Sequence, residues 1–218
     1  MQGITTGAFT GTWDNSVNNN NITMSAQTAF NGSGTGTRTI KLGSATYTWS
    51  FASTGGTGFS FGVTTGLTLN AGSETWVVSG VSQTSKSFNT GGKTLGSLTV
   101  NANCGVIVLS GATTLAAITL NAGTALQLST SGVTASSLSV VGSSSAPVLL
   151  MSTTLGTQAA LTITSGTQSL SFAALRDINC TGGATFTASN SFDLGNNNGI
   201  TITAPVTGAS RARSYAGL

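Results

Sequence analysis

Histidine is absent from this chain, and ionisable side chains of any kind are scarce. Four carboxylates (Asp14, Glu74, Asp177 and Asp193) and seven basic residues are spread over 218 positions. Charged residues are therefore 5% of the sequence, against a usual share of about 25%. Without histidine, Ser–His or Cys–His nucleophilic catalysis in its usual form has no base. A zinc site would need histidine or clustered cysteine, and the two cysteines, Cys104 and Cys180, stand far apart. Long hydrophobic runs are missing too. The longest, APVLLM at 146–151, falls far short of the roughly 18 apolar residues of a membrane helix. The opening residues MQGITTGAFTGTW have neither a basic start nor an apolar core, so synthesis in a cytoplasm without a signal peptide is expected.

What is present points to strands. The chain holds 39 Thr, 30 Ser and 30 Gly, and only two Pro. A composition so poor in charge and rich in Ser and Gly could belong to a disordered chain. Here, though, Val, Ile, Leu and Phe recur in tight alternating groups, which disordered chains lack. β-Branched residues favour pleated strands, so the class is all-β.

The alternating groups repeat. LTLNAG at 67–72 returns as LTVNAN at 98–103 and ITLNAG at 118–123. Leu67/Leu69, Leu98/Val100, Ile118/Leu120, Leu138/Val140, Leu161/Ile163 and Ile200/Ile202 align as one set of inward pairs. Val106/Val108, Leu126/Leu128, Val148/Leu150 and Leu170/Phe172 follow as a second set. Leu115, Val133, Leu155 and Ile178/Cys180 mark a third, weaker strand. Three short strands in a period of about 20 residues describe one coil of a parallel β-solenoid. The period favours a right-handed β-helix; a β-sandwich is the alternative, since its strands recur at intervals of about 8–12 residues. In each LTL the outer residues face inward and the Thr outward. Asn70, Asn101 and Asn121 then occupy one corner of successive coils, where Asn suits a tight turn and its amides can stack as a ladder.

The organisation expected is a less regular β-region at 1–66, a solenoid at 67–205 and a tail at 206–218. The first 95 residues hold all three Trp and six of the nine Phe, and the region at 1–66 reads as a cap for the solenoid or a docking end. The segment at 81–94 reads as an inserted loop and NNNN at 18–21 as a surface loop. In the tail, Arg211, Arg213 and Tyr215 cluster as a candidate partner contact.

Chemistry finds little purchase. A glycosidase needs two carboxyls roughly 5–9.5 Å apart. Asp177 and Asp193 lie on neighbouring coils but at different positions in the period, so turn-capping roles are expected. DLGNNNG at 193–199 lacks the spacing of a calcium loop and reads as a turn. The basic residues are dispersed, whereas nucleic-acid binders concentrate them. No catalytic residue, metal, cofactor, nucleic acid or membrane is expected, and both cysteines should be free, buried thiols.

GTRTIKLGSATYTWSF (36–51), GLTLNAGSETWVVSG (66–80) and SFNTGGKTLGSLTVNAN (87–103) resemble Thr/Ser/Gly-rich β-solenoid structural proteins of tailed bacteriophages. CTGGATFTASNSFDLGNNNGITITAP (180–205) is similar to closing repeats of the same group and of some bacterial surface proteins. The resemblance spans residues 36–205 and carries no catalytic residue. It implies a virion structural protein on the particle exterior: a head decoration protein, or a small tail or baseplate appendage. Its partners would be copies of itself, as a homotrimer, and other capsid or tail proteins, with a host surface glycan as a further contact. A bacterial adhesin or surface-layer protein and a polysaccharide-degrading β-helix enzyme are the alternatives.

Overall fold

The computed structural model describes residues 3–51, 56–81 and 85–205. Among these there is no helix, and so none long and apolar enough to cross a membrane. The strands form three parallel sheets. Nine strands, from Ile4–Thr5 to Phe192–Asp193, make the first. Eleven, from Ile22–Met24 to Thr201–Ile202, make the second. Gly11–Asp14, Arg38–Lys41 and Leu67–Asn70 make a third. The chain visits the sheets in turn and stacks each pass on the one before, so the fold is a parallel β-solenoid.

Coil length sets what fills the core. In the nine-stranded sheet Phe30 pairs with Phe59 and Phe59 with Phe88, two equal and long steps of the chain. From Phe88 the register runs to Leu109 and then to Leu128, and both of these steps are shorter. A longer coil encloses a wider cross-section, and the wide coils are filled by rings. Phe59 lies 4.2 Å from Trp76 and 4.8 Å from Phe88 between ring centroids, and Tyr47 lies 4.6 Å from Trp76. The narrower coils are filled by stacked Leu, Ile, Val and Ala, as in the file Leu98, Ile118, Leu138. Close packing to constant density therefore accounts for the uneven spread of aromatics.

No break in the sheets falls at residue 66. The strands Thr28–Asn31 and Gly56–Ser60 belong to the nine-stranded sheet, and Thr46–Trp49 to the eleven-stranded one. Most of the N-terminal rings are core, with Phe30, Tyr47, Phe59 and Phe61 fully buried, while Phe9 is exposed. The segment at 81–94 is likewise not an inserted loop, because Lys86–Asn89 is a strand of the nine-stranded sheet.

Four alignments differ from the sequence reading, and one is Leu170, read in a set with Leu126 and Leu150 but paired with Ala188 in the eleven-stranded sheet. Leu67 and Leu69 pair with Arg38 and Ile40 in the three-stranded sheet, while Leu98 pairs with Trp76. Leu161 and Ile163 pair with Val133 and Ala135, not with Leu138 and Val140. The reason is that the coil's long strand, unbroken in Thr113–Asn121 and Val133–Val141, divides here into Ala159–Ile163 and Thr167–Ser171. Finally, Ile107 and Leu109 point inward, not Val106 and Val108. Every residue of VIVL is apolar, so alternation cannot fix its phase, and a slip of one residue exchanges the two faces. In the third set Leu155 is 75% exposed, whereas Leu115, Val133, Ile178 and Cys180 are buried.

Candidate functional site

The ionisable groups sit at the corners between sheets, and several are buried. Arg38 opens the strand Arg38–Lys41 in phase with Ile40, so its side chain points inward and is 1% exposed. Its guanidinium donates to five backbone carbonyls. Nε and Nη2 reach Gly32 O at 3.1 and 2.7 Å, and Nη2 also reaches Val63 O at 2.9 Å. Nη1 reaches Gly34 O at 2.8 Å, Gly36 O at 3.0 Å and Thr65 O at 3.0 Å. One planar fork thereby closes the corners of two successive coils, whose carbonyls have no strand partners to serve them.

Glu74 performs the complementary task. It is 1% exposed, and its carboxylate accepts from Gly72 N at 2.7 Å, Gly96 N at 2.7 Å and Trp76 Nε1 at 3.0 Å. Gly96 is required there: a Cβ on it would fall on the Glu74 backbone. Lys86 is fully buried, donates to Gly80 O, and lies 5.2 Å from the centroid of the Trp49 ring. Burial holds its pKa below the ordinary lysine value, with the nearby Cys104 opposing the shift. At the surface, Asp14 meets Lys41 at 2.9 Å. Hydrogen bonds from Ser16 and Lys41 hold its carboxyl at about 2.

Asp177 and Asp193 are both engaged by turns. Asp177 is buried, with φ at 58°, and accepts from Gly156 N at 3.1 Å and Asn196 Nδ2 at 2.6 Å. Arg176 Nε approaches it at 3.5 Å. Asp193 accepts from Gly195 N at 2.9 Å and Asn197 Nδ2 at 2.6 Å. DLGNNNG is a turn whose amides sew the last coil to the one before. Asn197 bonds Leu175 O and Ile178 N, and Asn198 bonds Asn179. No group of three or more metal-ligating side chains occurs among the described residues.

The corner asparagines divide. Asn101 and Asn121 follow Val100 and Leu120, which are partners on adjacent coils, and Asn121 Nδ2 donates to Val100 O at 3.0 Å. Asn70 stands opposite Lys41 in the three-stranded sheet and is no part of that corner. The amide at this corner serves a backbone carbonyl, not another amide. In the NNNN loop, Asn19 and Asn21 accept from Ser44 N and Thr46 N of the next coil. Arg211, Arg213 and Tyr215 lie outside the described residues.

Cys104 and Cys180 are buried free thiols. Burial pushes Cys180 up to about 12 and raises Cys104 as well. Cys104 precedes the strand Gly105–Leu109, and Cys180 lies three coils further on in the eleven-stranded sheet. Three steps of about 4.8 Å exceed the roughly 7 Å that a disulfide spans between Cα atoms. Neither thiol should react with an aromatic disulfide reagent in native buffer at pH 8, and both should react in denaturant. A Cys104–Cys180 bridge in non-reducing mass spectrometry would refute this register.

The outer surfaces differ in character. On the nine-stranded sheet Val108, Gln127, Met151 and Arg176 form one outward file, and Val106, Ala125 and Leu149 another. A shallow groove lined by Val106, Ala125, Pro147 and Leu149 runs beside them. On the eleven-stranded sheet the outward positions are mostly Thr and Ser. No family model, curated protein or solved structure matches the chain.

Proposed function

We propose that the chain is a non-catalytic structural module on the exterior of a tailed-bacteriophage particle, a head decoration or a small tail or baseplate appendage. It works as a homotrimer held in contact with other virion proteins. The observation that carries the self-association is the outer face of the nine-stranded sheet. Val106, Val108, Leu149 and Met151 project from it in two adjacent files beside Arg176. Met and Arg are enriched at interface cores, where Lys, Glu and Asp are depleted. A parallel solenoid also needs protection against lateral pairing, which charge usually provides. Here charge is sparse, and burial against copies replaces it. The virion placement rests on the resemblance of residues 36–205 to phage solenoids. The buried or turn-bound carboxylates support a role without chemistry.

The purified chain should therefore run as a trimer in light scattering. Val108→Glu with Leu149→Arg should release monomers whose circular dichroism is unchanged. A wild-type chain that stays monomeric at high concentration, and never appears in particles by mass spectrometry, would sink the reading. Asp177→Asn with Asp193→Asn should change stability alone. Any polysaccharide cleavage by the wild type that this double variant abolishes would establish an enzyme instead.

A further inference from the structure

We propose that the outer face of the eleven-stranded sheet binds ice, through a two-dimensional lattice of threonine and serine hydroxyls. The register builds the lattice. Thr48, Val77, Thr99, Thr119 and Ser139 are successive partners along the solenoid axis. Two residues earlier on each strand, Thr46, Thr75, Ser97, Ala117 and Ser137 form a second file. Eight of these ten outward positions carry a hydroxyl. Beyond Ser139 the sheet continues through Val141 opposite Ser171, and Thr167 and Ser169 stand opposite Thr185 and Thr187.

Spacing gives the pattern its meaning. Neighbouring positions lie about 4.8 Å apart along the axis and about 6.6 Å apart along a strand, the two repeats of a parallel pleated sheet. That rectangle is close to the repeat of water oxygens on a prism face of hexagonal ice. The five rungs run without a bulge; the one shift of register near them, between Ser87 and Phe88, lies in the other sheet.

A second observation is independent of spacing. None of the eight hydroxyls bonds to another described residue. Outside these ten positions hydroxyls do pair along the axis: Ser33 with Ser60 at 3.2 Å, Ser87 with Ser110 at 3.1 Å, and, toward the far end of the same sheet, Thr162 with Thr181 at 2.7 Å. At the lattice positions each hydroxyl is left for water. A single surface hydroxyl holds a water weakly, but one fixed by a sheet has no ordering left to undergo. Many such contacts on one rigid body add without each incurring the entropy of association again. The threonine methyl groups between them oblige water to cage around them in fixed positions.

The same face fits other occupants poorly. The ten positions include no charged and no aromatic side chain. Protein interface cores rely on aromatic and Arg anchors, and a sugar ring would find no ring to stack on. Ice offers what this face needs, a neutral solid repeating in two dimensions. The inference does not depend on particle display, because the isolated chain should show it.

The wild type, mixed with slowly growing ice, should enter the solid fraction and separate the melting and freezing points in nanolitre osmometry. Thr119→Tyr, which raises a ring from the middle of the lattice, should lose most of both effects with its circular dichroism intact. Gln127→Tyr, on the nine-stranded sheet, should keep them. If Thr119→Tyr does not fold, Thr99→Lys tests the same face. A wild type that stays in the liquid and shows no hysteresis overturns the proposal. So does a Thr119→Tyr variant as active as wild type, or binding to powdered cellulose in place of ice.

Discussion

Replacing Arg38 by methionine is expected to destabilise the protein by on the order of 3–5 kcal/mol, although the new side chain is long and apolar and the site is buried. Substituting an apolar residue for a buried charge is often neutral when its partner is removed with it. Here the partners are backbone carbonyls of Gly32, Gly34, Gly36, Val63 and Thr65, and they cannot be removed. Methionine would leave five acceptors without this donor. Those still shielded from water would each cost about 1–3 kcal/mol, and relaxation of the corners toward solvent would recover part of it. Arg38→Lys should restore less than half of the loss, since an ammonium offers three donors from one point where the fork offers five in a plane. Denaturant midpoints of the three proteins at equal slope provide the check. A lysine variant as stable as wild type would mean that charge, not the fork, holds the corner.

The position of Arg38 was legible in one respect and hidden in another. Arg38 lies in phase with Ile40 and Leu42, Glu74 with Trp76 and Val78, and Lys86 with Phe88. Strict alternation therefore placed all three inside. Polarity argued the other way, because Lys, Glu and Arg are almost never fully buried unless paired. What reverses that rule is the corner geometry. Each turn between sheets leaves carbonyls or amides without strand partners, and a long side chain can serve several at once. The class, the stacking and the coil length of the middle were plain, since LTV, ITL and LSV each mark inward and outward positions. The longer N-terminal coils were not, because they carry the same short strands with longer turns between them. The apolar VIVL left its own phase unmarked. The hydroxyl files of the eleven-stranded sheet were visible as Thr and Ser between inward residues. Their alignment needed the register, because Leu67 and Leu69 read as the rung before Leu98 and Val100, a place that Trp76 and Val78 occupy.

Phe59→Ala should cost about 4 kcal/mol, the middle of the range for a buried aromatic truncated to alanine. Phe59 is fully buried and stands at the junction of the ring cluster. Its ring stacks on Phe88 at 4.8 Å and on Phe30 at 5.6 Å, and meets Phe61 at 4.7 Å and Trp76 at 4.2 Å edge-on. Phe30, Trp76 and Phe88 come from other strands of the chain, held by parallel ladders that cannot close inward by the width of a ring. The cavity would therefore persist instead of collapsing. Phe59→Leu should lose less, as it keeps part of the volume. The loss should also be local. Each coil of a solenoid touches only its neighbours, so stability is close to a sum of coil and interface terms along one axis. Hydrogen exchange should accordingly quicken in the strands from Thr28–Asn31 to Lys86–Asn89, with little change from Thr124–Leu128 onward. Uniform acceleration across both regions would show a single cooperative unit, in which the wide and the narrow coils melt together.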